Sequence, residues 1–419
     1  MRILLLGGVV ALLLGSCDAR RTATITKAQP TVPVAAVMPA GGRVALRPDT
    51  ADCTRASAYP NPGPVDTLIA LGSRHYWLSI RIVTDSTRAL YDGPASNVGA
   101  AFAPPGDSVA YAAGQVRGYQ ETYTFALRDS TKKVLVFRRQ LHKPDFYKAA
   151  PRDIVTVMHL ERPNYLGYSA ALEALVFGCY LWIPSSDVGV RATLLLNRQG
   201  HLKTISPSGA ILWEATDCDP QLSPSGRAVL TCTELLRAGQ PPLQLKKPHA
   251  QLRAARFLND STLLVVYEHG DERPRPSQES SNGDASVTAP ITTSEFVTTP
   301  AQHRLPTALI LRTSGRVLRT FNLKTTGAAS CQLLRVFMKA TRTYFLYDED
   351  AHKLVLIPKA HPDSLIELPL KLLPTFKPPL HPHEQKVAIS SDFSRLQLYI
   401  DTLHPRSVRY RLLAGGKGE

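Results

Sequence analysis

The 419-residue chain carries 49 Lys and Arg against 34 Asp and Glu, a formal net charge of +15, and 44% of its residues are hydrophobic. Enough apolar mass is present for a real core, and the charge favours anionic surroundings. Its basic residues are scattered rather than interleaved with aromatics in a stripe, so nucleic acid is not an expected partner.

The first element in the chain is an export signal. Arg2 supplies a charged start, Ile3 to Leu14 an apolar run, and Gly15 and Ser16 the small residues of a cleavage site. The run falls short of the roughly 20 residues that a spanning helix needs. Leu14-Gly15-Ser16-Cys17 resembles the lipobox of bacterial lipoproteins. That resemblance implies cleavage after residues 1–16, a lipid on the Cys17 thiol and usually acylation of the new amino terminus, which together anchor a chain firmly. Residues 17–42 then form the lipidated cysteine and a tether rich in small residues, Thr and Pro. A flexible chain of that length reaches about 25 to 30 Å. The expected location is the bacterial cell envelope, on a membrane through the lipid. Asp18 resembles an inner-membrane retention signal of enteric bacteria, a rule that not all bacterial groups follow, so inner versus outer membrane stays open.

Beyond the tether, 33 Pro and 26 Gly break the sequence into short apolar runs. Runs of this length between turn clusters predict strands. In chain order they are Thr67–Leu71, Tyr76–Val83, Ser108–Ala112, Thr122–Leu127, Lys133–Arg138, Leu172–Ile183, Ala192–Asn197, Ala228–Cys232, Thr262–Tyr267, Ala308–Arg312, Thr343–Tyr347, Lys353–Ile357, Lys386–Ser390 and Leu396–Ile400. No regular helix is predicted between them. The segment 270–304 is polar and poor in bulky apolar residues, and reads as a disordered loop.

A repeat runs through these strands. Ala101 to Tyr111 and Gln221 to Leu230 share the order apolar, small, Pro, any residue, Gly, two residues, then an apolar pair, with weaker copies at Arg256 to Leu264 and Ile389 to Leu398. Physically this is strand, tight turn, strand, in which Pro presets one corner and Gly takes the other. A second hairpin type occurs at Leu194 to Leu202 and Leu309 to Leu318. The repeat is similar to that of TolB-type β-propellers, an apolar residue followed by Ser-Pro-Asp-Gly-Lys and a short strand. The resemblance covers about a tenth of the chain directly and implies an all-β fold: residues 43–419 as one propeller of about seven four-stranded blades, with six or eight allowed. The alternative is two smaller β-domains divided near Asp271.

Five cysteines follow Cys17: Cys53, Cys179, Cys218, Cys232 and Cys331. In an oxidising compartment disulfides persist. Cys218 and Cys232 are equidistant from Ser225 in the turn Pro224-Ser225-Gly226. A hairpin centred there would set them opposite each other at about 4.5 to 5.5 Å between Cα atoms, and a one-residue shift would separate them.

Signals for chemistry are sparse. No Gly-x-Ser-x-Gly nucleophile elbow and no Gly-rich phosphate or dinucleotide loop occurs, so no catalytic residue and no cofactor is expected. His381-Pro382-His383-Glu384 is the one close histidine cluster, and His381 and His383 are weak metal candidates. Asp217 with Asp219, and Asp348-Glu349-Asp350, have the composition of hydrolytic or calcium-binding acids but equally that of turns. Trp77, Trp182 and Trp213 could stack on sugars, yet each lies in or beside an apolar run that suits a core. The function expected from all this is a non-enzymatic binding or scaffolding module that contacts an envelope protein or glycan. The alternative is an envelope enzyme, or a sugar- or small-ligand-binding protein, with its site in a central channel.

Overall fold

The computed structural model describes residues 50–54, 66–94, 115–183, 189–208, 216–274, 294–324, 332–391 and 394–414. Cys17, Cys331, Trp213, the strand expected at Ser108–Ala112 and the first copy of the repeat lie outside them. By chain contacts, the described residues belong to one compact unit within 43–419.

The protein is all-β, built from antiparallel meanders. Sheet 1 comprises β1 (Asp66–Leu71), β2 (Arg74–Pro94), β3 (Gln115–Asp129) and β4 (Leu135–His142). A 3₁₀ turn at Lys143–Lys148 and a single helix α1 (Arg152–Val157) follow, the helix being an element that the sequence reading missed. Sheet 2 holds β5 (His159–Leu160), β6 (Asn164–Ser169), β7 (Ala174–Trp182), β8 (Gly189–Asn197) and β9 (Leu202–Pro207). Sheet 3 holds β10 (Gln221–Leu222), β11 (Ala228–Leu230), β12 (Glu234–Arg237) and β13 (Gln240–Gln244). Sheet 4 holds β14 (Ala250–Phe257), β15 (Thr262–His269), β18 (Ala308–Arg312) and β19 (Val317–Phe321). Sheet 5 runs from β20 (Arg335–Met338) through β21 (Thr343–Asp348) and β22 (Lys353–Pro358) to β23 (Ile366–Pro369). Sheet 6 is β24 (Glu384–Ser390), β25 (Ser394–Asp401) and β26 (Val408–Ala414).

Between β15 and β18 the chain makes a separate ribbon, β16 (Asp271–Pro274) paired with β17 (Ser294–Val297). The ends of the expected disordered loop are therefore ordered strands, with Glu272 opposite Phe296. Backbone pairing holds them, which a composition argument cannot register. Residues 275–293 lie outside the described residues.

Consecutive sheets pack face to face through apolar clusters, and this explains why the apolar runs are unbroken. Strands with water on one side alternate, whereas strands covered on both sides do not. In β7, Leu175, Phe177, Cys179 and Leu181 pack toward sheet 1, while Ala174 and Val176 meet Val229 of sheet 3. In β15, Leu263, Val265 and Tyr267 join the cluster shared with sheet 3, and Leu264 and Val266 the one shared with sheet 5. Tyr344 and Leu346 of β21 face sheet 4, Phe345 and Tyr347 face sheet 6. At about 25 cal/mol per Å² of apolar area removed from water, these junctions carry most of the favourable energy of the fold.

The described copies of the repeat fall on one structural position, the turn between the first two strands of sheets 3, 4 and 6. In sheet 3 the turn uses Gly226 at φ 72°, a backbone conformation that suits glycine. Sheets 2 and 5 make the equivalent turns with Glu173 at φ 50° and Arg342 at φ 51°. Those two turns lack the glycine that makes the repeat visible in sequence.

A polar cleft backed by a buried charge network

Arg256 lies on β14, in the strongly apolar context Ala254-Ala255-Arg256-Phe257, and its side chain is 1% exposed. A guanidinium in such a place needs carboxylates, since an uncompensated buried charge costs several kcal/mol, about 3 to 5 when one partner is lost. The backbone brings them. Asp217 forms a parallel bridge with Ala254, and its N–H donates to the Arg253 carbonyl oxygen at 2.8 Å. The segment leading into sheet 3 therefore runs beside β14. Arg256 donates through Nη2 to Asp217 Oδ1 and to Asp219 Oδ2, the latter at 3.2 Å.

Two further arginines close the network. Arg335 of β20 donates to Asp217 Oδ2, and the Leu333 N–H donates to the same oxygen at 2.8 Å. Arg191 of β8 pairs with Asp219 Oδ1 at 3.2 Å and donates to the Cys218 carbonyl oxygen at 3.0 Å. Sheets 2, 3, 4 and 5 are thus tied at one point. Burial pushes the Asp217 carboxyl up, but Arg256 and Arg335 together outweigh it and hold the group below its ordinary value. Arg256 is destabilised as a cation by burial, and the two aspartates reverse this and raise it. The pair Asp217 and Asp219 is thus neither a calcium site nor a turn decoration in this structure: both carboxylates neutralise buried arginines. Sequence reading saw the acids and missed their partners. Arg256 within an apolar strand was the available signal.

The disulfide between Cys218 and Cys232 sits beside this network, with Cα atoms 5.6 Å apart. Its geometry differs from the expected one. The hairpin pairs Gln221 with Leu230 and Leu222 with Val229, so its centre lies between Ser225 and Gly226, and continued pairing would put Thr233 opposite Cys218. The ladder ends before that point. Cys232 turns the chain with φ 80°, and the bond closes outside the paired strands. Cys53 and Cys179 carry free thiols, and burial pushes that of Cys179 well up.

Thr216 and Cys232, flanking the network, form part of the wall of a cleft of about 450 Å³. Its chemistry comes from Lys246, Lys247, His249, Asp271, Glu272 and Phe296. His249 Nδ1 is 2.5 Å from Asp271 Oδ1, and Gln302 Nε2 donates to Asp271 Oδ2 at 3.1 Å. The bond to His249 lowers the Asp271 carboxyl. His249 has φ 55°, while its carbonyl oxygen accepts the Gly270 N–H at 3.0 Å, linking the start of sheet 4 to the ribbon. The Lys247 ammonium lies 4.4 Å from the centre of the Tyr267 ring, and burial lowers it. Two ammonium groups, an oriented imidazole and an aromatic face suit a ligand with an anionic group and an apolar body. The sequence signal for this cleft is Lys246-Lys247-Pro248-His249, two cations and an imidazole within four residues.

The other sequence candidates do not converge on this cleft. His381 Nδ1 is 3.5 Å from Glu384 Oε1, but Glu384 is taken by Arg409, whose Nε donates to Oε1 at 2.7 Å. The His383 carbonyl oxygen accepts from Thr402, and among the described residues no group of three or more His, Cys, Asp or Glu could hold a metal. Asp348 accepts the N–H groups of Lys324 and Ala351, Glu349 the hydroxyls of Ser391 and Ser394, and Asp350 the ammonium of Lys324. Trp77 donates to the Ser130 carbonyl oxygen at 3.1 Å, with Lys132 over its ring at 3.9 Å. Trp182 packs on Gly189, where a Cβ would stand 2.3 Å from the indole.

No protein-family model and no curated protein matches the chain. Among solved structures, it is similar to a variant of the AtxE2 isopeptidase with Astexin3-dC4 bound, at 11% identity over 62% of this chain and 51% of that one, with a TM-score of 0.16. The chain spans about half the length of that isopeptidase. At such a score the likeness assigns neither fold nor activity.

Proposed function

We propose that the chain is a lipid-anchored, non-enzymatic binding module of the bacterial cell envelope, with its sheets as the blades of a β-propeller and the Lys246–His249 cleft as its ligand site. Support for the propeller is the meander order within sheets 1, 3, 5 and 6 and the stacking of sheets in chain order. Among the described residues no apolar cluster joins sheet 6 to the outer face of sheet 1, so the stacking supports propeller-like blades without a closed ring. The observation that carries the binding role is the cleft itself, where Lys246, Lys247 and Phe296 offer charge and an apolar surface together. Thr216, next in the chain to Asp217, and Cys232, bonded to Cys218, tie part of the wall to the buried network, which lowers the ordering cost of binding.

A second reading, an envelope enzyme or small-ligand binding protein, has one observation in its favour. The Asp271–His249 pair, oriented by Gln302, has the form of a general base with its partner.

Crosslinking from a photoreactive residue at position 251, on the wall of the cleft, in native envelopes, tests both. A specific partner should be captured by the otherwise wild-type chain and lost in the Lys247→Glu variant. Capture that is unchanged by this substitution removes the cleft from the proposal. A small molecule identified by this capture that the chain without the crosslinker converts to an altered product, and that the His249→Gln variant leaves unaltered, establishes the enzyme reading instead. In the same cells, Cys17→Ser should move the protein out of the lipid-modified membrane fraction, and unchanged lipid labelling would refute the anchor.

A further inference from the structure

Sheet 1 has a face that no apolar cluster covers. Its other face carries Ile69, Leu78, Phe125 and Phe137 into the junction with sheet 2. On the uncovered side, cross-strand register places Leu68, Trp77, Arg128 and Leu135 in one row. Arg81 and Val83 continue that face along β2, and Arg138 lies opposite Ala126 on it. Leu68 is 49% exposed, Val83 58% and Leu135 44%. Arg81, Arg128 and Arg138 are exposed among them.

The charge of this region is net positive: residues 66–94 and 115–142 hold nine Arg and Lys against five Asp and Glu, and Asp66 pairs with Arg81 at 3.5 Å. Arg74, Arg88, Arg128, Lys132 and Arg138 remain exposed to solvent. Apolar side chains here are islands between arginines rather than one dry patch of the kind that protein partners bury. That mixture matches a lipid headgroup region, in which long basic side chains meet phosphates while Leu, Val and Trp enter the acyl boundary.

We propose that this face of sheet 1 docks on the anionic phospholipid headgroups of a bilayer. The docking uses Arg128 and Arg138 as phosphate contacts and Leu68, Trp77 and Leu135 as shallow apolar insertions. It is independent of the cleft, and a lipid on Cys17 would raise the local concentration of the surface without supplying its specificity.

The test uses the full lipidated chain on vesicles of phosphatidylcholine, with or without phosphatidylglycerol, whose acyl chains are brominated near the headgroup. Tryptophan emission should be quenched on phosphatidylglycerol vesicles, and Trp77→Phe should remove most of that quenching. Arg128→Gln with Arg138→Gln should lower the ratio of docked to undocked chain about thirtyfold, and high salt should do the same. Each variant changes an exposed or half-buried position, and circular dichroism with thermal unfolding confirms that it is folded. A chain that stays on the vesicles with no quenching of Trp77 overturns the docking while leaving the anchor intact. Quenching that is equal on both vesicle types also overturns it, as does a lipid-free dimer in sedimentation whose contact shields Trp77.

Discussion

Sheet 4 is packed on both faces, by Leu263 and Val265 toward sheet 3 and by Leu264 and Val266 toward sheet 5, whereas sheet 1 buries only the face carrying Ile69, Leu78 and Phe125. Both regions also bury a cation. In sheet 4 it is Arg256, held between Asp217 and Asp219. Next to sheet 1 it is Lys143, 1% exposed, which donates to the Thr156 carbonyl oxygen at 3.1 Å. The contrast teaches where rigidity is placed. Between sheets 2 and 5 charge is matched with charge and position is fixed, while at sheet 1 an ammonium is kept with neutral backbone oxygen and a whole face is left to solvent.

Removing the matched charge should have the largest effect. Asp217→Asn leaves Arg256 and Arg335 without their shared carboxylate, and a loss of about 3 to 5 kcal/mol is expected in urea unfolding. Asp350→Asn is the control, because the Lys324–Asp350 pair is exposed at both ends and should be worth less than about 1 kcal/mol. Equal effects from the two would show that the network is not the fastening between sheets.

Lys143 gives the next effect, and its sign is opposite to that of a stabilising pair. Burial lowers the ammonium to about 8, with Glu121 pulling the other way, against about 10.4 for an exposed lysine. Between those values the unfolded chain holds a proton that the folded chain has released. Stability should therefore rise with pH from about 8 upward, by at most about 1.4 kcal/mol per pH unit. Lys143→Met should flatten that rise, measured as urea midpoints at successive pH values. A variant with the wild-type slope would assign the pH dependence to another group.

The same contrast explains what the sequence could reveal. The strands β7, β15 and β21 are covered on both faces, so their runs of Leu, Val, Phe and Tyr stood out directly. The outer strands β1, β4 and β24 were also legible, but β13 and β26 were not. β13 reads Gln240-Pro241-Pro242-Leu243-Gln244 and is mostly exposed, and β26 carries Arg409 and Arg411, so neither has an apolar run to detect. For the site, Asp217 and Asp219 were visible as acids, but their role depends on Arg191, Arg256 and Arg335 arriving from three other sheets. Local patterns carry no information about such convergence. The Cys218–Cys232 pair was legible by its spacing about the turn, and the way the bond closes was not, because Cys232 leaves the ladder through a left-handed backbone that β-branched and bulky residues avoid.

The smallest expected effect is also the sharpest comparison, because one substitution can be made in both regions. Val83→Thr and Val265→Thr exchange a methyl for a hydroxyl of nearly the same volume. Val265 is 0% exposed within the sheet 3–sheet 4 cluster, and its variant must bury the hydroxyl there. About 1 to 3 kcal/mol should be lost. Val83 is 58% exposed on the uncovered face of sheet 1, where water solvates the same hydroxyl, and the change should stay within about 0.5 kcal/mol. Thermal or urea unfolding of the lipid-free chain reads both. A cost at Val83 that approached the one at Val265 would mean that another surface of the protein covers this face in solution, and the surface argued above to meet the bilayer would then be closed to it.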